Sequence, residues 1–294
     1  MAMPKFEVHQ PESMEQALDL LAMYRTSVKV LAGGTDLVPR MRAGAAQAQH
    51  LVSINRVKGI RGISYQDDDG LVIGAGARIF EVAEHPEVQR HYPALAHACG
   101  VMANTQIRHM GTVAGNLANA APSADTAAPL LAYGASLVLV ERGGRRQVEL
   151  DHFFTGPGST VMEPVELIEA IRVPAPPVRS GSAYQRISAR SRVDIAAVGV
   201  AGQLALDSQG RILVARLALA AVAPTPVRCP EAEELLTGQV PGEDLFKRAA
   251  AACVRASRPI DDQRASAAYR RLMVQVLTQR VLAECAARAQ GGEQ

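Results

Sequence analysis

The sequence contains no tryptophan, and its other aromatics are few: six tyrosines and five phenylalanines in 294 residues. No run of lysine or arginine accompanies them, and the formal net charge is only +2. A nucleic-acid surface needs clustered cations with stacking rings, so no nucleic-acid partner is expected. The four cysteines, Cys99, Cys229, Cys253 and Cys285, are too widely spaced for a C-x-x-C, zinc or iron–sulfur ligand group. They read as free thiols of a reducing cytoplasm. No apolar run reaches the roughly 20 residues needed to cross a bilayer. The opening residues Met-Ala-Met-Pro-Lys-Phe show no charged region followed by an apolar stretch, so no secretory leader is expected. Two nucleotide templates are missing as well: G-x-x-x-x-G-K-[ST] and a properly placed G-x-G-x-x-G.

What is present is an ordinary globular composition, 48% apolar and 20% charged, on a chain long enough for about two domains. Two glycine-rich segments stand out. The first is Leu31-Ala32-Gly33-Gly34-Thr35-Asp36-Leu37; the second runs from Met110-Gly111-Thr112 through Gly115-Asn116 to Pro122-Ser123-Ala124-Asp125. Glycine lets a backbone approach a ligand closely, and successive N–H groups around it form an anion-binding concavity. Ala32, Gly33, Gly34 and Thr35 offer amides and a hydroxyl to a phosphate. Asp36 suits a hydroxyl-bearing part of a ligand, or caps the loop. Thr112, Gly115 and Asn116 offer a second set, followed by Asn119, Ser123 and Asp125, and Asp125 is placed to accept from sugar hydroxyls. Neither segment contains a lysine or arginine, and a pyrophosphate held by backbone amides needs none. From the residues alone, two tight turns and a split phosphate cradle both remain open.

The hydrophobic pattern places these segments in an α+β chain. Residues 6–9, 28–32 and 51–54 read as strands around a helix capped by Ser13, with Gln16 reaching back in a capping box. The first segment thus follows a strand. Residues 60–65 and 71–73 read as a hairpin across Asp67-Asp68-Asp69-Gly70. Residues 93–102 read as a helix leading into the second segment, and 125–133 as a short helix leaving it. Strands follow at 136–140, 147–150 and 166–173, with a Gly143-Gly144 turn between the first two. The proline-rich stretch 174–182 reads as a linker. Beyond it lie two strands, 198–206 and 212–222, joined at Asp207-Ser208-Gln209-Gly210, and then helices. In the last helix Tyr269, Leu272, Met273, Val276 and Leu277 fall on one face, which is expected to be buried.

At these motifs the chain resembles a known family. AGGTD at 32–36, Q-I-R-x-M-G-T-x-x-G-N-L at 106–117, A-P-S-A-D at 121–125, and Tyr184-x-Arg186 with Asp194-Ile195-Ala196 are similar to the FAD-binding medium subunit of the molybdenum hydroxylases. That family includes the medium subunit of aerobic carbon monoxide dehydrogenase and the FAD domain of xanthine dehydrogenase. The resemblance covers essentially the whole chain. It implies an α+β fold: a two-lobed FAD-binding domain of the vanillyl-alcohol-oxidase (PCMH-like) class at 1–55 and 56–176. A C-terminal domain at 180–290, an antiparallel sheet packed by helices, completes it.

By the same resemblance, Lys29, Val30, Leu31, Ala32, Gly33, Gly34, Thr35, Asp36 and Leu37 would wrap the FAD pyrophosphate and adjacent groups. Gly111, Thr112, Gly115 and Asn116 would form the second half of that cradle, with Ala118 alongside. Asn119, Ala124 and Asp125 would contact the ribityl or ribose region, Met102 and Ala103 would line the cofactor, and Leu167 or Ile168 would meet the adenine side. Tyr184 and Arg186 fall near the isoalloxazine, with Arg186 where lysine is more usual. His109 replaces a commoner asparagine and Ala114 a commoner glycine. The cysteine-rich insertion of one subfamily, with its extra iron–sulfur cluster, is lacking.

The implied role is electron transfer. Electrons would come from [2Fe–2S] clusters of a small subunit, fed by a large molybdopterin subunit, and pass through non-covalent FAD to an external acceptor. A cytoplasmic dimer of heterotrimers is the implied assembly. This chain would bind no metal itself and need no catalytic acid or base; His97, His109 and His152 read as surface or structural residues. Two alternatives stand beside this reading. One is a stand-alone flavin-dependent oxidase or dehydrogenase, and the other a non-catalytic interaction subunit with degraded glycine loops.

Overall fold

The computed structural model describes residues 5–191 and 193–291. The chain begins with a small lobe built of β1 (Glu7–His9), α1 (Met14–Tyr24), β2 (Val28–Leu31), α2 (Leu37–Arg42) and β3 (His50–Ser53). Its strands are parallel, in the order β1-β3-β2. Ser13 caps α1, its Oγ accepting the Gln16 N–H at 3.2 Å, but Gln16 Oε1 takes the N–H of Glu12 rather than that of Ser13. Ala17 and Leu21 turn inward from α1 and share a core with Val28 and Val52.

The second lobe is a five-stranded antiparallel sheet, β4-β5-β10-β6-β7, with a cluster of helices between its second and third strands in sequence. The strands are β4 (Ile63–Gln66), β5 (Gly70–Gly74), β6 (Ser136–Glu141), β7 (Gly144–Glu149) and β10 (Leu167–Val173), and the small ribbon β8 (Phe154–Gly156) with β9 (Ser159–Thr160) lies between the last two. Gly70 opens β5 at φ +81°, where a Cβ would fall on the backbone of residues 173–175, so the expected hairpin requires glycine there.

The helices are α3 (Ile79–Glu84), α4 (Pro86–His91), α5 (Pro93–Val101), α6 (Thr105–Met110), α7 (Val113–Ala118) and α8 (Ala127–Tyr133). The sequence pattern anticipates α5 and α8 but not the other four. Six residues are too few to display a 3.6-residue period, and such helices form only where tertiary packing holds them. Every residue of α8 is buried. It packs against the sheet of the following domain, and Tyr133 Oη lies 2.5 Å from Ser182 Oγ while accepting the Ala94 N–H at 3.2 Å.

The last region is a four-stranded antiparallel sheet of β11 (Ser180–Ser188), β12 (Ala196–Leu206), β13 (Ile212–Ala220) and β14 (Val227–Arg228). It is covered by α9 (Pro230–Leu236), α10 (Glu243–Ala256) and α11 (Ala267–Gln290). The expected linker is shorter than its composition suggests. β11 already begins at Ser180 and pairs with β12 from Ser180↔Ala205 onward. Its first residues, Ser-Gly-Ser, have weak strand propensity, but Gly181 lets the backbone of α11 approach at Cys285 and Ala289.

The buried face of α11 also differs from the expected stripe. Arg270, Val274, Leu277, Thr278, Val281, Leu282 and Cys285 are buried, whereas Tyr269 and Leu272 are 42% and 55% exposed. The cause is Arg270. Its Nη1 donates to the carbonyls of Ala221 at 2.6 Å and Ala197 at 3.2 Å, and its Nη2 to Asp262 at 2.6 Å. A buried arginine anchored through both terminal nitrogens holds a core position that an apolar count overlooks, and the face rotates by about one residue, roughly 100°.

Candidate cofactor site

β2 carries the chain to Gly33 and Gly34 and then into α2. Gly34 sits at φ +71°. A Cβ at Gly33 would fall on the Met110 carbonyl and on Gly111, so the two glycine segments meet backbone to backbone. The second segment is helical only in part: it begins at the last residue of α6, turns at Gly111 and Thr112, and runs through α7 into turns at 119–125. Asn104 caps α6 by accepting the Ile107 N–H at 2.9 Å, and Thr112 caps α7 by accepting the Gly115 N–H at 3.0 Å. Ala114 lies within α7 at ordinary helical φ, so an alanine fits where glycine is commoner.

The second segment is tied down from one side. Ile79 N–H donates to the Gly111 carbonyl at 3.0 Å, Val113 N–H reaches the Ala77 carbonyl at 3.4 Å, and Thr112 forms an isolated bridge with Arg78. Asn116 Oδ1 accepts the Thr126 hydroxyl at 2.7 Å, which leaves its NH₂ free to donate. The first segment has fewer ties. Asn55 Nδ2 donates to the Ala32 carbonyl at 3.0 Å, and Arg40 Nη1 reaches Asn119 Oδ1 at 3.3 Å, linking the two segments.

A cavity opens where the segments meet. Of the residues singled out from the sequence, Lys29, Val30, Ala32, Gly33, Gly34, Thr35, Asp36, Leu37, Met102, Gly111, Thr112, Gly115, Asn116, Ala118, Asn119, Leu167 and Ile168 line it. Seven others, Ser123 among them, lie outside the lining. Leu31 packs beside Met41 and Leu51. Ala103, at φ +47°, turns its carbonyl to Arg108 at 2.9 Å. Ala124 is buried in the core.

Asp125, Tyr184 and Arg186 form a buried cluster of their own. Tyr184 Oη donates to Asp125 at 2.6 Å, and Arg186 Nη1 sits 3.1 Å from the other carboxylate oxygen. Arg186 also donates to the carbonyls of Val101 and Asp194. Burial pushes the Asp125 pKa up, against the pull of Arg186 and the Tyr184 hydrogen bond. Burial, and then the Asp125 charge, raises the Tyr184 phenol well above its usual value. The cluster ties β11 to the end of α5, next to the cavity-lining Met102.

The sequence reading missed Arg40, Ile54, Ala75, Ile79, Ile107, Ala114 and Met162, all of which line the cavity. Arg40 was within reach, because it stands four residues beyond Asp36 on a helix that begins at the loop. The apolar wall was not, because Ile54, Ala75, Ile79 and Met162 come from separated parts of the chain. None of His97, His109 and His152 pairs with a nucleophile among the described residues. His97 is exposed, with its pKa lowered chiefly by desolvation, His109 stacks on Phe80 at 4.1 Å, and His152 is exposed.

The donor set fits FAD. Among the described residues, nothing accepts the backbone N–H groups of Gly33, Gly34, Thr35 or Asp36, all at the cavity wall. Side chains at Gly33, Gly34 or Gly115 would crowd the cradle. Free amides, a threonine hydroxyl and two nearby cations suit a diphosphate, while the aliphatic wall suits flat ring systems.

Comparison with known proteins agrees. The FAD binding domain in molybdopterin dehydrogenase matches residues 4–176, and the CO dehydrogenase flavoprotein C-terminal domain matches 182–285. The xanthine dehydrogenase FAD-binding subunit of Escherichia coli O157:H7 is 34% identical over 284 residues, covering 96% of this chain and 97% of the relative. The carbon monoxide dehydrogenase medium chain of Hydrogenophaga pseudoflava is 35% identical over 279 residues, covering 95% and 96%. A solved structure of carbon monoxide dehydrogenase from Hydrogenophaga pseudoflava, lacking the Mo-pyranopterin moiety of its cofactor, superposes with a TM-score of 0.93. It is 36% identical, and the match covers 98% of this chain and 99% of that one. The chain therefore belongs to the family of FAD-binding medium subunits of the molybdenum hydroxylases.

Proposed function

We propose that this chain is the FAD-binding, electron-transferring subunit of a heteromeric molybdenum hydroxylase. The observation that carries the reading is the contact between the two glycine segments, which sets unpartnered amides around one cavity. FAD, when bound, supplies the capacity to exchange electrons singly or in pairs. The protein's own residues bind and orient. Gly33, Gly34 and Thr35 would offer amides to the diphosphate, and Asn116 would donate its free NH₂ from the second segment. Lys29 and Arg40 offset its charge. Leu167, Ile168 and Met102 exclude water along the cavity wall. Asp125, Tyr184 and Arg186 act one layer behind, holding the Val101 carbonyl and thus the end of α5 in place.

The four cysteines are all buried and scattered, in α5, before α9, in α10 and in α11, so iron–sulfur clusters would belong to a partner. A small [2Fe–2S] subunit would donate electrons, and a large molybdopterin subunit would oxidise the substrate and determine its identity. An external acceptor would take the electrons onward. Among the described residues no helix is long and apolar enough to cross a membrane. A cytoplasmic dimer of heterotrimers is the assembly this reading favours.

The test is the visible spectrum of the purified chain after incubation with FAD and desalting, with released flavin identified by chromatography. Non-covalent FAD at one per chain is expected. A covalently held flavin would favour a stand-alone oxidase, and a native complex without flavin would favour an interaction subunit.

A further inference from the structure

At the opposite end of the small parallel sheet from the cavity, three metal-ligating side chains converge. Glu7 and His9 are two residues apart on β1, so their side chains leave the same face of the strand. His50 opens β3 directly beside Glu7 in the parallel register. His9 Nε2 lies 3.1 Å from His50 Nδ1, and a Glu7 carboxylate oxygen lies 3.6 Å from His50 Nδ1 and 4.0 Å from His9 Nε2. Zinc held by imidazole nitrogen and carboxylate oxygen at about 2.0–2.2 Å in a tetrahedron separates its ligand atoms by roughly 3.3–3.5 Å. The observed distances bracket that range.

The rings are also held in place. Tyr24, at the end of α1, stacks on His50 with centroids 3.6 Å apart and planes 16° apart, and on His9 at 5.1 Å and 25°. The histidine side chains are only 15% and 19% exposed, whereas Glu7 is 65% exposed, which leaves an open side for a water as fourth ligand. Among the described residues this is the one group of histidine, cysteine and carboxylate side chains whose ligand atoms all converge closely enough to share an ion. Two imidazoles and a carboxylate suit zinc and its first-row neighbours rather than calcium or magnesium.

We propose that Glu7, His9 and His50 form a zinc site that fastens the edge strand β1 to β3 and so braces the lobe carrying the first glycine segment. The competing account is a pair of imidazoles sharing one hydrogen bond, with no metal. The proposal does not depend on the flavin assignment.

The test titrates Zn²⁺ into the full metal-free chain against a chromophoric chelator. One ion per chain is expected, with affinity lowered at least about tenfold in His9→Gln and in His50→Gln, and unchanged in the exposed control His152→Gln. Glu7→Gln should also weaken binding. Cobalt substituted for zinc should give the intense visible absorption of a four-coordinate ion, and both histidine variants should lack it. His50→Gln removes a stacked ring and could fail to fold; His9→Gln, on the edge strand, then supplies the same measurement. No binding, or binding undiminished in His9→Gln, would overturn the site and leave the shared hydrogen bond.

Discussion

The two glycine-rich segments of the proposed cradle are held in different ways. The Gly33–Gly34 half follows a short parallel strand and depends on backbone freedom: one glycine at φ +71°, another with no room for a Cβ, and a single side-chain tie from Asn55. The Gly111–Asn116 half is fixed by two capped helices, by hydrogen bonds to residues 77–79 and by Thr126. The strand before the first half packs on two cores, Val28, Val30 and Ala32 on the main one and Leu31 on a small satellite of Met41, Ala48 and Leu51, whereas the second half rests directly on the main core through its own Val113 and Leu117. A binding site assembled in this way has one preorganised wall and one adaptable wall. Ligand contact should order the adaptable wall more than the other.

The most disruptive test of that contrast is Gly115→Asp. A Cβ there would come within 2.8 Å of the capping Thr112 Oγ1, and its carboxylate would bring negative charge toward a diphosphate. No flavin should survive desalting. Gly115→Ala should retain some, because the Thr112 hydroxyl is a side chain that can rotate; full occupancy in the aspartate variant would remove Gly115 from the cradle. Next comes Gly33→Ala, where the added carbon meets backbone rather than a side chain. Overpacking of this kind costs about 1–3 kcal/mol, so FAD affinity should fall about tenfold to a hundredfold. Isothermal titration would measure it, and an unchanged affinity would mean that the two segments do not need to touch.

Thr112→Val probes the preorganised wall and should have a smaller effect. It removes the hydroxyl that accepts the Gly115 N–H while preserving side-chain shape. Loss of an N-cap costs about 1 kcal/mol. The expected result is about a fivefold loss of FAD affinity and a melting temperature lower by about 2 °C in the flavin-free chain. If the affinity falls without any change in melting, the hydroxyl contacts the ligand rather than the helix.

The sequence exposed the two walls unequally. AGGTD was legible because its glycines sit directly after an apolar strand, and the residues from Ala32 to Leu37 line the cavity without exception. The second wall was legible as a motif but not as structure. α6 and α7 have six residues each, and their caps Asn104 and Thr112 do not stand out from the surrounding loop chemistry. The apolar wall was illegible for another reason: Ala75, Ile79 and Met162 meet only after the antiparallel sheet has formed. Asp125 illustrates a third limit. Its position suggested sugar hydroxyls, but in the folded chain its carboxylate is held by Tyr184 and Arg186, some sixty residues later, and lies outside the cavity lining. In α11 the buried Arg270 displaced the expected apolar stripe, because its partners Ala197, Ala221 and Asp262 are distant in sequence.

Arg40 joins the two walls, and its replacement should have the smallest effect. It is exposed, lines the cavity and bridges to Asn119 at 3.3 Å. An exposed cation contributes at most about 1 kcal/mol, so Arg40→Met should weaken FAD binding about threefold at low ionic strength. Salt separates the two ways it could act. At about 1 M salt the screening length falls to roughly 3 Å, and a purely electrostatic contribution to the diphosphate should nearly vanish. The bridge to Asn119 is a hydrogen bond and would survive much of that screening. The gap between Arg40→Met and the unaltered chain is therefore expected to narrow as salt rises, with Asn119→Ala affecting binding less than Arg40→Met does. If the gap persists at high salt and Asn119→Ala reproduces it, Arg40 is a clasp between the adaptable and fixed walls, and the first segment is less adaptable than its glycines suggest.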